Sequence, residues 1–179
     1  MRSEKCYAVR NVRMTFGKLL IWSFIICHLS FGVSACSSIS CPVQNTVSVQ
    51  YAVRDAEGEA MMNDTLWVFT QRNDGSDTLL LNRGVGIKSF SLPVSYSHPE
   101  DVLLFFIADK AGVYTLDTLW LKKEDIPHFE SVDCSAHFFH RLTDVRCTHE
   151  GIDSVTIVNT LVDYDTSKTH LHIYFKDRQ

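Results

Sequence analysis

From residue 46 onward the chain reads as short apolar runs separated by turn residues. TVSVQYAV (46–53) alternates with period two, which places Val47, Val49, Tyr51 and Val53 on one face of a strand. RDAEGEA ends that segment. DTLWVFTQ (64–71) and DTLLLN (77–82) flank RNDGS, whose Asp74-Gly75 pair suits a tight hairpin turn. KSFSLPV (88–94) carries Pro93, which removes a ladder donor and assigns the segment to an edge or a strand end. DVLLFFIAD (101–109) is continuously apolar and should be central. DKAG then turns the chain into VYTLDTLWL (113–121), and KKEDIPHFE reads as the connection that follows. SAHFFHRLTDV (135–145), IDSVTIV (152–158) and HLHIYF (170–175) complete the set. In the last of these, Leu171, Ile173 and Phe175 should be buried, with His170, His172 and Tyr174 exposed on the opposite face.

No segment sustains a 3.6-residue period over ten positions. The pattern predicts an all-β protein, an antiparallel β-sandwich of about eight to nine strands, Ig-like in layout, with a closed barrel as the alternative. A weak echo runs through it: DTLWV at Asp64, DTLLL at Asp77, DTLWL at Asp117 and DSVTI at Asp153. The spacing is irregular, so this is no solenoid repeat. Asp followed by Thr or Ser turns the chain through a local side-chain-to-backbone hydrogen bond, and the apolar residues then begin a strand.

The first 35 residues have a different character. Residues 19–33 are mostly apolar, interrupted by Ser23, His28 and Ser30, and Lys18 precedes them. A helix of that length rises only about 22 Å, short of a hydrocarbon core of about 30 Å. A positive end, a short apolar stretch and small residues form the layout of a secretory signal peptide. Met14 suits the true start, with residues 1–13 an upstream extension. The segment closes on Val33-Ser34-Ala35-Cys36, which resembles a bacterial lipobox. That resemblance implies cleavage before Cys36, a diacylglyceryl thioether on its sulfur and acylation of its amino group. A thiolate is the nucleophile such an alkylation needs, and several acyl chains together make a lasting anchor. Val33 and Ala35 also suit ordinary signal peptidase, which would release a soluble protein. The organisation expected is a signal peptide (1–35), a lipidated cysteine and tether (36–45) and one β-sandwich domain (46–179).

Removing the signal makes the chain more acidic. Residues 36–179 hold twelve basic and twenty acidic side chains, a net charge of −8 against −4 for the whole sequence. The acids are scattered and no basic patch forms, so nucleic acid is not an expected partner. With Cys36 lipidated, Cys41, Cys134 and Cys147 remain, an odd number in an oxidising compartment, consistent with one disulfide and one spare thiol. Either Cys41 or Cys147 could pair with Cys134, because geometry decides and spacing does not.

The lipobox, the Cys41-Pro42 pair, IDSVTIVN and the closing HLHIYF together resemble an uncharacterised lipoprotein family of Bacteroidetes, a domain of unknown function, over most of residues 36–179. The resemblance implies a Gram-negative envelope location. It also favours a Cys41–Cys134 disulfide, with Cys147 as this chain's departure. It implies no activity.

Candidate chemistry is sparse. His170 and His172 lie at i and i+2 and would share a strand face, so two imidazoles could chelate one metal ion, with His137, His140 or His149 as helpers. No third ligand stands at a diagnostic spacing, and an exposed strand face is the simpler reading; no metal or other cofactor is expected. His137 and His140 should lie on opposite faces. Cys147 with His149 lacks a third, orienting group. Glu100-Asp101 and Glu124-Asp125 sit in apparent turns and read as solvated acids. No catalytic motif is found, which points to a non-enzymatic binding or interaction module. A hydrolase of envelope polymers and a structural component of an outer-membrane assembly are the alternatives. The tether SSISCPVQN (37–45) carries no acid, unlike the acidic stretch of surface-exported Bacteroidetes lipoproteins, and Ser37 lacks the charge that retains lipoproteins in the inner membrane elsewhere. The expected location is the outer membrane, lipid-anchored and facing the periplasm, with an envelope protein or glycan as partner.

Overall fold

A computed structural model describes residues 46–71 and 75–177. The expected signal peptide, the lipobox-like segment with Cys36, Cys41, the expected tether and Asp74 of the expected hairpin turn lie outside the described residues. Among the described residues there are eleven strands and no helix. They are β1 (Ser48–Asp55), β2 (Gly58–Glu59), β3 (Thr65–Gln71), β4 (Asp77–Gly84), β5 (Ser89–Pro93), β6 (Glu100–Ala108), β7 (Tyr114–His128), β8 (His137–Cys147), β9 (Ile152–Ile157), β10 (Leu161–Val162) and β11 (Leu171–Phe175). The two-residue strands β2 and β10 are the ones that the sequence pattern does not announce.

The strands form two sheets. One has the order β10-β8-β7-β6-β3-β4; the other runs β2-β1-β11-β9, with β5 also paired to β1. The expected antiparallel pairing holds for every pair but one. β1 and β11 run parallel, with Tyr51 opposite Leu171 and Val53 opposite Ile173. The first and last strands thus close the smaller sheet side by side. β5 ends at Pro93 with β1 as its only neighbour, so the proline disturbs no inner ladder.

β6 is central, between β3 and β7. Between the sheets pack Val49, Tyr51, Val53, Leu92 and Ile173 from the smaller one and Leu66, Val68, Phe105, Ile107, Leu119 and Leu142 from the larger. Tyr51 stacks on Phe90 at 4.7 Å between centroids, and Phe105 meets Phe90 edge-on at 6.2 Å.

KKEDIPHFE differs from its expected role as a connection: β7 runs through it for fifteen residues to His128. Two features permit this. The β6 pairing ends at Lys122, so Pro127 meets only β8, on one side, where its missing N–H is harmless. A register shift between Lys122 and Lys123 turns Lys123 inward, opposite Leu142. Lys123 is buried, and its ammonium is held 3.2 Å from Asp101 Oδ1 and by the His98 carbonyl. Asp101 also accepts the Ser95 N–H at 3.2 Å.

Asp117 departs from the local turn role expected of the Asp-Thr/Ser echo. It lies inside β7, fully buried, and its carboxylate reaches across to residues more than thirty positions away. Oδ1 accepts the Thr148 hydroxyl and the Glu150 N–H, both at 2.8 Å; Oδ2 accepts the Gly151 N–H at 2.6 Å and the Ile152 N–H at 2.9 Å. Burial pushes this carboxyl upward, but the four donors outweigh it and hold the group below the ordinary carboxylate range. The turn so gripped is where the chain leaves β8 of the larger sheet and starts β9 of the smaller. Asp117→Ala would strand three backbone N–H groups at that crossing. We expect it to lower unfolding free energy by about 2–4 kcal/mol in urea denaturation, whereas Asp153→Ala, at a partly exposed strand start, should change it by less than about 0.5 kcal/mol.

Candidate functional site

The residues expected to carry chemistry are placed apart, and most serve the fold. His170 is fully buried and precedes β11; it does not share an exposed face with His172. Its Nδ1 accepts the Gln50 N–H of β1 at 3.0 Å, and its Nε2 donates to the Leu161 carbonyl of β10 at 3.1 Å. Both nitrogens are therefore committed and no lone pair faces outward for a metal. His172 stands half-exposed on β11. The described residues contain no group of three or more His, Cys, Asp or Glu side chains arranged to hold a metal ion.

His137 and His140 are both buried; His140 Nδ1 lies 2.8 Å from Asp125 Oδ1. Glu100 and Asp101 are strand residues on β6, and Glu124 and Asp125 belong to β7, which corrects their assignment to turns. Glu100 pairs with Arg146 at 2.6 Å, Asp101 with Lys123, Glu124 with Arg141 at 3.9 Å and Asp125 with His140. Lys123, Asp101 and His140 form a buried polar group beneath Tyr51, whose hydroxyl has no hydrogen-bond partner among the described residues. Burial raises the Asp101 carboxyl more than Lys123 lowers it, and burial holds the His140 imidazole down against the pull of Asp125. The Lys123 ammonium is closed off from solvent, so a substrate has no route to it.

Cys147 has a free thiol, and Cys134 is buried in the β7–β8 connection. The Cys147 sulfur lies 3.9 Å from His149 Nδ1, but that nitrogen donates to the Asp153 carbonyl at 2.8 Å and cannot also take the thiol proton. Burial, with Asp117 and Asp153 adding to it, raises the thiol further from the reactive thiolate form.

The surface feature with the strongest character was not singled out from the sequence. It is the outer face of the larger sheet. Trp67 and Phe69 of β3, Leu104 and Phe106 of β6 and Tyr114 and Leu116 of β7 line an open groove of about 440 Å³, with Asp77 as its one charged residue. Phe106 pairs across the strands with both Trp67 and Leu116. Trp67 meets Phe106 edge-on at 6.4 Å, and Phe106 and Tyr114 lie 5.2 Å apart. Tyr114 is 58% exposed and Leu116 49%. Toward the other end of β7 the face becomes polar, where the Arg146 guanidinium covers Trp120 at 5.2 Å and pairs with Glu100.

The sequence signal for this face is the double apolar phase of WVF and LLFFI. An outer sheet face that met only water would alternate with polar residues. Continuous apolarity reads equally as a strand covered on both sides, and strand-level reasoning cannot separate the two.

A second depression, of about 750 Å³, opens at one end of the two sheets over Val53, Met62, Ile107 and Phe175, with charges of both signs around it. Two of its carboxylates are turned back on their own loops: Asp55 accepts the Glu57 and Gly58 N–H groups, and Asp109 the Val113 N–H.

These observations describe an all-β, two-sheet protein with a sealed polar interior and an open aromatic sheet face. Residues 65–175, from β3 to β11, match the family of unknown function DUF6452, and the chain belongs to that family. No curated protein and no solved structure matches the chain.

The buried imidazoles set a pH response. Burial holds His140 and His170 below the ordinary value of 6.5, so the unfolded chain takes up protons first as pH falls. Their contribution to stability is complete above about pH 6.5 and is lost progressively as pH falls below it. Thermal unfolding midpoints measured at successively lower pH should fall, and His170→Asn, although less stable throughout, should show a shallower decline.

Proposed function

We propose that the protein is a lipid-anchored outer-membrane lipoprotein of a Bacteroidetes-type envelope, facing the periplasm, that acts by binding another protein rather than by catalysis. The observation that carries the binding reading is the aromatic groove of β3, β6 and β7. Exposed apolar groups of this density are typical of interaction surfaces, and Trp and Tyr are the side chains that most often anchor interfaces. The groove favours a protein over a glycan partner. A sugar presents many hydroxyls that need donors and acceptors, and Asp77 alone is there to meet them.

The anchor reading rests on the apolar run, too short to span, followed by Val33-Ser34-Ala35-Cys36. A Cys41–Cys134 bridge fits a chain whose Cys147 thiol is free. The closed polar interior counts against a hydrolase, because it offers no approach to its carboxylates.

Two measurements test the proposal. Cys36→Ser should abolish fatty-acid labelling and accumulate the unprocessed precursor; normal processing and release of the mutant would refute the anchor. Trp67→Ala with Phe106→Ala, both on a sheet face outside the core, should cut recovery of cross-linked envelope proteins at least tenfold while leaving the unfolding midpoint nearly unchanged. Undiminished recovery would place binding elsewhere, and recovery of glycan alone would reverse the choice of partner.

A further inference from the structure

We propose that the β7–β8 connection, residues 129–136, is a membrane-contacting tip that orients the domain on the bilayer to which it is anchored; this rests on the lipid at Cys36. Phe129 is 66% exposed and Val132 99%. They stand where β7 and β8 run on from Lys123 past the end of the β6 pairing, with β10 beside β8 as far as His140 and only Ile126–His128 opposite His137–Phe139 as a two-stranded ribbon. Six residues of strand carry the tip roughly 20 Å beyond the last β6 pair. Single exposed apolar side chains are ordinary; these two share the outermost turn of a projecting ribbon.

The path of the chain selects the occupant. Thr46, Val47 and Ser48 line one depression together with Glu130 and Tyr164, so the described domain starts beside this tip. Nine residues lie between Cys36 and Thr46, ten steps along the chain with a reach of at most about 36 Å when fully extended. A lipid at Cys36 therefore brings the tip, rather than the aromatic groove, to the bilayer. Tyr114 of the groove lies at the opposite end of β7, roughly 45 Å away along the strand.

Behind the tip the side chains change in the order that a membrane interface favours. Tyr96, 61% exposed, stacks on Phe138 at 5.9 Å, and Tyr164 meets Phe139 edge-on at 4.9 Å. Tyrosines with an apolar ring and a wet hydroxyl suit the headgroup layer, below which Phe129 and Val132 would enter the acyl region. Of the two acids in the tip, Glu130 is paired with His128 at 3.1 Å, and Asp133 follows Val132 in the same turn, where its N–H donates to the Ser131 hydroxyl. Once the anchor is inserted, the second contact is effectively intramolecular, so two apolar side chains suffice to orient a domain they would not recruit alone.

The test uses the full lipid-modified chain bearing Phe129→Trp, purified from membranes and reconstituted in phosphatidylethanolamine–phosphatidylglycerol vesicles. Mass spectrometry of its processed amino terminus establishes the lipid independently. Replacing the acyl chains with brominated ones should quench the emission of the introduced tryptophan by more than half, relative to the same chain without the substitution. Adding Val132→Asp should restore that emission. With lipid present on Cys36, a water-like spectrum that bromine leaves unquenched overturns the inference. So does an emission shielded from water yet indifferent to bromine, as a second copy of the chain would produce. Absence of lipid on Cys36 removes the anchor reading itself, and the inference with it.

Discussion

One carboxylate governs how the two sheets are joined. Asp117 extends from near the start of β7 to accept four hydrogen bonds from residues 148–152, where the chain passes from β8 of the larger sheet to β9 of the smaller. A crossing of this kind exposes backbone donors in a dry interior, where each unpaired N–H is costly. The carboxylate gathers three of them at once, and the Thr148 N–H and Thr118 carbonyl fix the same turn against β7 at 2.9 Å. β9, then β11, then β1 take their places from that turn, so the smaller sheet is assembled on an anchor belonging to the larger one.

His170 repeats the device where the chain passes from β10 of the larger sheet to β11 of the smaller. One imidazole nitrogen receives a donor from β1 and the other donates to β10, so a single ring spans both sheets. The Lys123–Asp101 pair is buried at the β7–β8 register shift. Buried ionic groups of this kind add less to stability than an apolar replacement might, but removing either partner strands the other. Their effect is to allow one arrangement of strands. With the interior so committed, the proposed contacts fall on the surface: a protein partner on the aromatic outer face of β3, β6 and β7, and the bilayer at the β7–β8 tip. The fold thereby separates a region that could meet a membrane from one that could meet a partner.

Much of this was legible in the sequence. Apolar runs bounded by turn residues located nine of the strands, Pro93 identified a strand end, and the unbroken apolar run of β6 marked the centre of a sheet. These readings succeed because they depend on residues adjacent in the chain: a strand's pleat and a proline's missing donor are local properties. The failures share the opposite cause. Lys123, Glu124 and Asp125 look like loop residues until Asp101, Arg141 and His140 are brought opposite them. Asp117 resembles Asp64 and Asp77 in its neighbours and differs only in what faces it from thirty positions away. His170 alternates with Leu171 as an exposed residue would, yet β1 and β10 enclose it.

The sequence by itself determined the all-β class and the positions of the principal strands. Each follows from composition and short-range period. Only the tertiary structure decided that β1 lies parallel to β11, that Asp101, Asp117, His140 and His170 are buried fasteners, and that the second apolar phase of β3 and β6 faces outward. Those outcomes depend on which strands meet and which sheet face is covered, and pairing between residues far apart in the chain leaves no mark in the pattern of either partner alone.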